Sequence, residues 1–270
     1  MMFDNRTALD KAGLGRLQQG FDALRGIGRN HFGLEIGGQM IGYCYIRKNA
    51  CSSFKKMFLD CSPHRALKPP DQRPIDFVRQ YHRLSPAALA DCDRVVFAYR
   101  DPAERMLSMF RNKFIAQTGA TDISASYTRI TGQPPQEASF CSFTGSYLGK
   151  NRFARLDRHV LPQRLHLQRV RYTDAIAVQD LHVGMCRVIG QALADQYFLR
   201  PVNRTSDVPL RPVPDAASRP VQELREIYAR DGYMPDNASL LPARVADRLR
   251  RLYAMDYAII GAVGHAARPA

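Results

Sequence analysis

Val95-Val96-Phe97-Ala98-Tyr99-Arg100-Asp101-Pro102-Ala103-Glu104-Arg105-Met106-Leu107-Ser108 holds two elements and the joint between them. The run from Val95 to Tyr99 is apolar and β-branched or aromatic, which predicts a buried strand. A helix start follows at once: Asp101 can cap, Pro102 suits the first helical position and Glu104 completes a capping box. Met106, Leu107, Phe110 and Phe114 then make an apolar face, with Ser108, Arg111 and Asn112 elsewhere around the helix. Arg100 therefore sits at the carboxyl end of a strand, where open α/β sheets bind their ligands.

A second strand-to-helix joint lies upstream. Met40 to Ile46 predicts a buried strand, Arg47 to Cys51 a polar loop, and the residues from about Ser52 a helix with Phe54, Met57 and Phe58 inward. The joint carries Arg47, Lys48 and two hydroxyls, Ser52 and Ser53, beside a helix N-terminus, whose free amides and positive dipole end attract anions. It is not a Walker A loop, since G-x-x-x-x-G-K-[ST] is absent from the chain.

Working outward, residues 1–38 read as a helical or irregular leader in which Leu14, Leu17, Phe21 and Leu24 recur at helical spacing. Leu165 to Val170 predicts a third strand, Val178 to Ala194 one long core-facing helix, and Leu241 to Ile260 a closing helix. Residues 117–138 and the proline-rich residues 201–220 read as surface loops. Strands alternating with helices predict an α/β fold with a central parallel sheet flanked by helices, in one domain over 39–265.

The 270 residues carry 39 Lys+Arg against 25 Asp+Glu, a net charge of +14, which points to an anionic partner without selecting among nucleotide, polysaccharide, lipid or nucleic acid. No run is long enough to cross a bilayer, and the charged start lacks the apolar stretch of an export signal. Six dispersed cysteines without a C-x-x-C pair read as reduced thiols, so a cytoplasmic protein is expected. No metal-ligand spacing stands out in the chain, and no metal is expected.

The two joints resemble the carbohydrate sulfotransferase superfamily, in the branch holding chondroitin and dermatan 4-O-sulfotransferases, heparan 2-O-sulfotransferases and bacterial relatives. Arg47-Lys48-Asn49-Ala50-Cys51-Ser52-Ser53 is similar to its 5′-phosphosulfate loop, P-K-x-[AG]-[CS]-[TS]-[ST]. Arg100 to Ser108 fits its 3′-phosphate segment, R-[DHE]-P-x-E-R-[LM]-[LV]-S, at every fixed position. Phe110-Arg111-Asn112-Lys113-Phe114, Asp157-Arg158-His159-Val160-Leu161-Pro162-Gln163 (D-x-H-W-x-P-Q in the branch), Asn203-Arg204-Thr205 and Tyr253-Ala254-Met255-Asp256-Tyr257 extend the similarity. Arg47 stands where the branch usually has proline, Asn49 replaces Thr or Val, and Val160 replaces Trp.

The resemblance implies a P-loop-NTPase-like three-layer fold. It implies transfer of a sulfuryl group from 3′-phosphoadenosine-5′-phosphosulfate (PAPS) to a hydroxyl, of a carbohydrate or glycolipid, leaving 3′-phosphoadenosine-5′-phosphate (PAP). Lys48 would meet the bridging and sulfuryl oxygens, and Ser52, Ser53 and the amides of Arg47, Lys48, Asn49, Ala50 and Cys51 the 5′-phosphate. Arg100 and Ser108 would hold the 3′-phosphate. The acceptor hydroxyl needs a base near neutral pH, which favours histidine. His82 falls in the interval where heparan 2-O-sulfotransferases carry theirs, and His159, with Asp157 to orient it, is the second candidate. Arg204, Arg211 and the basic residues 152–158 are candidates for an acceptor groove. Two rival classes stay open: a nucleotide kinase on a related fold, for which no magnesium carboxylate is evident, and a nucleic-acid binder, for which no zinc spacing or RNP-like aromatic segment is evident.

Overall fold

Four strands, His31–Ile36, Gln39–Cys44, Arg94–Tyr99 and Asp174–Ala177, form one sheet in that spatial order in the computed structural model of the chain. The described residues are 2–14, 22, 28, 30–119, 121–151, 153–200 and 208–265. The chain divides into two units, one of residues 1–100, 163–202 and 259–270, the other of residues 101–162 and 203–258.

The sheet belongs to the first unit. Its three inner contacts are not all parallel: Gln39–Cys44 pairs parallel with Arg94–Tyr99, which pairs parallel with Asp174–Ala177, but His31–Ile36 runs antiparallel to Gln39–Cys44. The expected all-parallel sheet is thus a mixed one, with a hairpin at its edge. Gly37 and Gly38 make that hairpin, both at positive φ (59° and 76°), the conformation a two-residue type I′ turn demands and glycine supplies without strain. His31–Ile36 falls in the stretch expected to be a helical or irregular leader, where glycines read as breakers. Of the predicted leader helix, Leu17, Phe21 and Leu24 lie outside the described residues, and Leu14 is exposed.

Both faces of the sheet are covered. Tyr43, Val96, Ala98 and Ile176 pack with Phe54, Phe58, Phe77, Met185 and Phe198, whereas Cys44, Val95, Phe97 and Ala175 pack with Leu167, Tyr172, Ile259 and Val263. Period-2 alternation along Val95-Val96-Phe97-Ala98 sends successive side chains into opposite layers. The helix Cys51–Asp60 is fixed by Phe54 stacked on Tyr43, with centroids 3.8 Å apart.

Three further expectations change. Leu165 to Val170 is not a strand: Gln163–His166 is a 3₁₀ turn, and the strand is Asp174–Ala177. Its first residue looks unfit for a sheet core, but Asp174 takes a two-pronged ion pair from Arg94 at 2.7 and 2.8 Å, which neutralises it at the sheet's parallel seam. The helix expected over 178–194 is two, Leu181–Ile189 and Gln191–Phe198, parted at Gly190 with φ 82°. The closing helix likewise divides into Ala243–Leu252 and Ala254–His265, with Tyr253 between them.

The second unit is helical. Its core gathers Phe110, Phe114, Phe140, Phe143, Tyr147, Leu249 and Tyr253, all fully buried. Asp122–Thr131, inside the stretch expected to be loop, is a helix that buries Ile123 and Tyr127 and ends at Gly132 in the left-handed conformation. Sparse apolar residues among many polar ones hid it. Among the described residues no helix is long and apolar enough to cross a membrane, and all six cysteines are free thiols.

His31 gives the first unit an acid-sensitive point. Its Nδ1–H donates to Gly28 O at 3.1 Å, and its Nε2 accepts from the Tyr172 hydroxyl at 2.8 Å, which itself accepts from Gln168 N–H. Burial pushes its pKa down to about 4 from 6.5. The unfolded chain therefore binds the proton first, so stability falls as pH drops through 6.5 and the loss is complete near 4. We expect about 3 kcal/mol of acid destabilisation from this residue. Denaturant titrations at pH 7 and pH 4.5 on wild type and His31→Gln check it, the variant showing the smaller pH difference.

Candidate functional site

The loop after Gln39–Cys44 turns with two non-glycine residues in the left-handed region, Lys48 at φ 70° and Ala50 at φ 54°. Such residues are uncommon, and they cluster where a backbone must present its groups to a ligand. Ala50 caps the helix Cys51–Asp60 without a side-chain hydrogen bond, leaving the first-turn amides without the usual capping oxygen. Ser53 N–H is spent on Ala50 O at 3.1 Å. Arg47, Lys48, Cys51 and Ser52 are half-buried, and Ser53 is buried. Over residues 47–53 there are two cations, two hydroxyls and no carboxylate, a donor set that suits an anion.

Asn49 is different, because its side chain faces inward with no exposed surface. Its Nδ2 donates to Ala98 O at 2.9 Å and to Gln163 Oε1 at 2.6 Å, which ties the loop to the neighbouring strand. Gln163 does more. Its Oε1 also accepts from Arg100 N–H at 3.0 Å, and its Nε2 donates to Arg100 O at 2.9 Å. One buried amide thus holds the backbone of Arg100 on both sides and the loop at Asn49 together, so the loop and the end of the strand Arg94–Tyr99 are set in a common frame. Arg100 itself is half-buried at the end of its strand.

In the second unit, Asp101 caps the helix Pro102–Phe110, its Oδ1 accepting from Ala103 N–H and Glu104 N–H at 2.8 and 3.0 Å. Ser108 lies half-buried on that helix. A π-turn continues it through Arg111–Ile115, with Ala116 N–H reaching back to Arg111 O at 2.8 Å. Arg105 is fully buried, and its guanidinium donates to Leu161 O at 2.8 Å and His159 O at 3.1 Å. Tyr253 OH donates to Val160 O at 2.6 Å. Three consecutive carbonyls are thereby fixed, and with them the segment that carries His159.

His159 is buried, and its Nδ1 lies 2.5 Å from Asp157 Oδ1, which also accepts the His159 backbone N–H at 2.8 Å. A carboxylate can only accept, so a proton sits on Nδ1. His82 belongs to the first unit, at the end of the helix Pro74–Tyr81. Its Nδ1–H donates to Gly33 O at 2.9 Å and its Nε2 accepts from Ser62 Oγ at 2.8 Å. Burial pushes its pKa below the ordinary histidine value, and the Gly33 carbonyl works against that shift.

Sequence reading thus picked out the loop cations, Arg100, Ser108 and both histidines, but not Gln163 or Arg105 as organisers. Their partners lie 114 and 56 residues away in the chain; the only advance signal was their place inside quoted motifs. Asn203, Arg204 and Thr205 lie outside the described residues, and Arg211 is exposed.

No curated protein and no solved structure matches the chain. Residues 37–259, which contain the 47–53 loop, Arg100 to Ser108 and the Asp157 to Gln163 segment, match the model described as the sulfotransferase family, and the chain belongs to that family.

Proposed function

We propose that the protein transfers a sulfuryl group from PAPS to a hydroxyl of a carbohydrate or glycolipid, on a P-loop-like fold and in the branch of the 4-O- and 2-O-sulfotransferases. The observation that carries this reading is the Gln163 clamp, which unites a cationic strand-to-helix loop with an arginine at the neighbouring strand's end. A donor with anionic groups at both its 5′ and 3′ positions needs two such segments held in register.

In this reading Lys48 meets the bridging and sulfuryl oxygens, and Ser52, Ser53 and the loop amides meet the 5′-phosphate. Arg47 adds charge to the loop, and Asn49 acts by positioning it. Arg100 and Ser108 take the 3′-phosphate. The acceptor oxygen attacks sulfur in line, the bond from sulfur to the 5′-phosphate oxygen breaks, and its electron pair leaves on PAP. Fixed cations around those oxygens supply most of the rate. Lysine and arginine neutralise the charge that a magnesium ion meets in a kinase, so the mechanism calls for no metal.

The acceptor proton passes to a base. His159 supports that role better than His82, because a carboxylate, Asp157, orients its ring and would stabilise its protonated form. The His82 ring is held by a carbonyl and a hydroxyl, neither of which carries charge.

A thermal-shift panel tests the reading. PAP at a hundredfold excess over its dissociation constant should stabilise the wild type by about 2.7 kcal/mol, roughly 5–10 °C. Gln163→Leu should lose most of that gain. A larger gain with Mg-ATP, or a salt-sensitive one with oligonucleotide, would instead favour a kinase or a nucleic-acid binder.

A further inference from the structure

The second unit contains a cleft of ≈ 720 Å³ with an unusual lining. Arg244, Arg248 and Arg251 enter it from the helix Ala243–Leu252, and Lys150 from the segment that follows Phe143–Leu148. Small residues, among them Ser142, Ser146 and two glycines, make up most of the rest, with no carboxylate and no aromatic ring in the lining. The three arginines recur at i, i+4 and i+7, which places them on one helix face about one turn apart.

Nothing acidic balances them. Among the described residues no carboxylate pairs with Arg244, Arg248, Arg251 or Lys150, although their helix neighbours Arg250 and Asp247 pair with each other at 2.7 Å. Four like charges in one cleft repel, and an anion shared among them removes that repulsion. Arg248 is also held in place. Its Nη1 donates to Cys141 O at 3.4 Å and Thr144 Oγ1 at 3.3 Å. Glycine at 145 leaves it room, since a Cβ there would stand 2.9 Å from that Nη1. Arg244 Nη2 donates to Ser218 Oγ at 3.3 Å. Both guanidiniums are steadied by neutral acceptors that leave the charge uncancelled.

We propose that this cleft binds a tetrahedral oxyanion, a phosphate or sulfate group carried on a small ligand. Guanidinium forks match the paired oxygens of such groups. The absence of any ring on which a base could stack argues against single-stranded nucleic acid as the occupant. The site uses none of the residues assigned to the donor, so it stands or falls independently of the sulfotransferase reading.

Calorimetric titration of the full chain with inorganic pyrophosphate tests it. Pyrophosphate should bind the wild type, more weakly as salt is raised. Arg244→Gln with Arg251→Gln should weaken binding at least about tenfold, as expected for losing charge-assisted contacts. Both side chains are exposed, so the fold should tolerate the exchange. Arg250→Gln, which removes a charge from the same helix outside the cleft, should leave binding unchanged. Glucose 6-phosphate and glucose 6-sulfate should compete where glucose does not, and whichever competes better identifies the source of the oxyanion. The proposal is overturned by no binding to the wild type, by unchanged binding in the double variant, by equal loss in Arg250→Gln, or by competition from glucose equal to that of its esters.

Discussion

Replacing Lys48 by alanine should lower turnover by about 10²–10³-fold while PAP affinity changes less than about tenfold. The ammonium group would meet oxygens whose charge grows as the sulfuryl group detaches, so its contribution is larger in the transition state than with product bound. Removing an interaction of that kind lowers kcat and kcat/KM together. Lys48 also holds a left-handed backbone, φ 70°, a conformation that non-glycine residues keep most often at functional sites. Alanine tolerates that backbone no better than lysine, so the variant tests the charge and not the turn. Turnover measured with labelled PAPS, and affinity by PAP titration, separate the two quantities. A variant within threefold of wild-type turnover would remove Lys48 from the chemistry.

The second large effect is expected at His159. Its replacement by alanine should cost about 10²–10⁴ in kcat/KM, the usual range for a general base, with PAP binding retained. Asp157→Asn should lose less, because the ring would keep a hydrogen-bond partner but lose the negative charge that stabilises its protonated form. His82→Ala should behave in the opposite way. Its ring joins Gly33 in the edge hairpin to Ser62 just beyond the helix Cys51–Asp60, so the variant should lose about 1–3 kcal/mol of stability and keep its activity at permissive temperature. Rates at 20 °C together with melting curves distinguish the two outcomes. Full activity in His159→Ala with loss in a folded His82→Ala would exchange the two roles.

The parts of the fold and candidate site that were legible in the sequence are the local ones. Strand, short loop and helix start follow in close succession at Gln39–Cys44 to Cys51–Asp60, and at Arg94–Tyr99 to Pro102–Phe110. Apolar period reads both, and Asp101 as cap reads the second. The edge hairpin was hidden by Gly37 and Gly38, which look like breakers until their positive φ values make them a turn. Asp174 opened a strand that could be recognised only with Arg94, 80 residues earlier, in place beside it. The long helices expected over 178–194 and 241–260 share one error, since apolar periodicity carries on across Gly190 and Tyr253 although the backbone does not. Gln163 and Arg105 illustrate the wider limit. A buried side chain that holds distant carbonyls leaves no periodic trace, yet here it decides where the charged groups stand.

The claim that the two anion segments form a donor site for a 3′-phosphorylated nucleotide is tested most directly by calorimetric binding of PAP and AMP to wild type and Arg100→Ala. Charge-assisted hydrogen bonds contribute about 1.5–3 kcal/mol each, so the wild type should prefer PAP by at least about tenfold. Arg100→Ala should lose most of that preference while binding AMP almost as before. Equal affinity of the wild type for PAP and AMP would contradict the account.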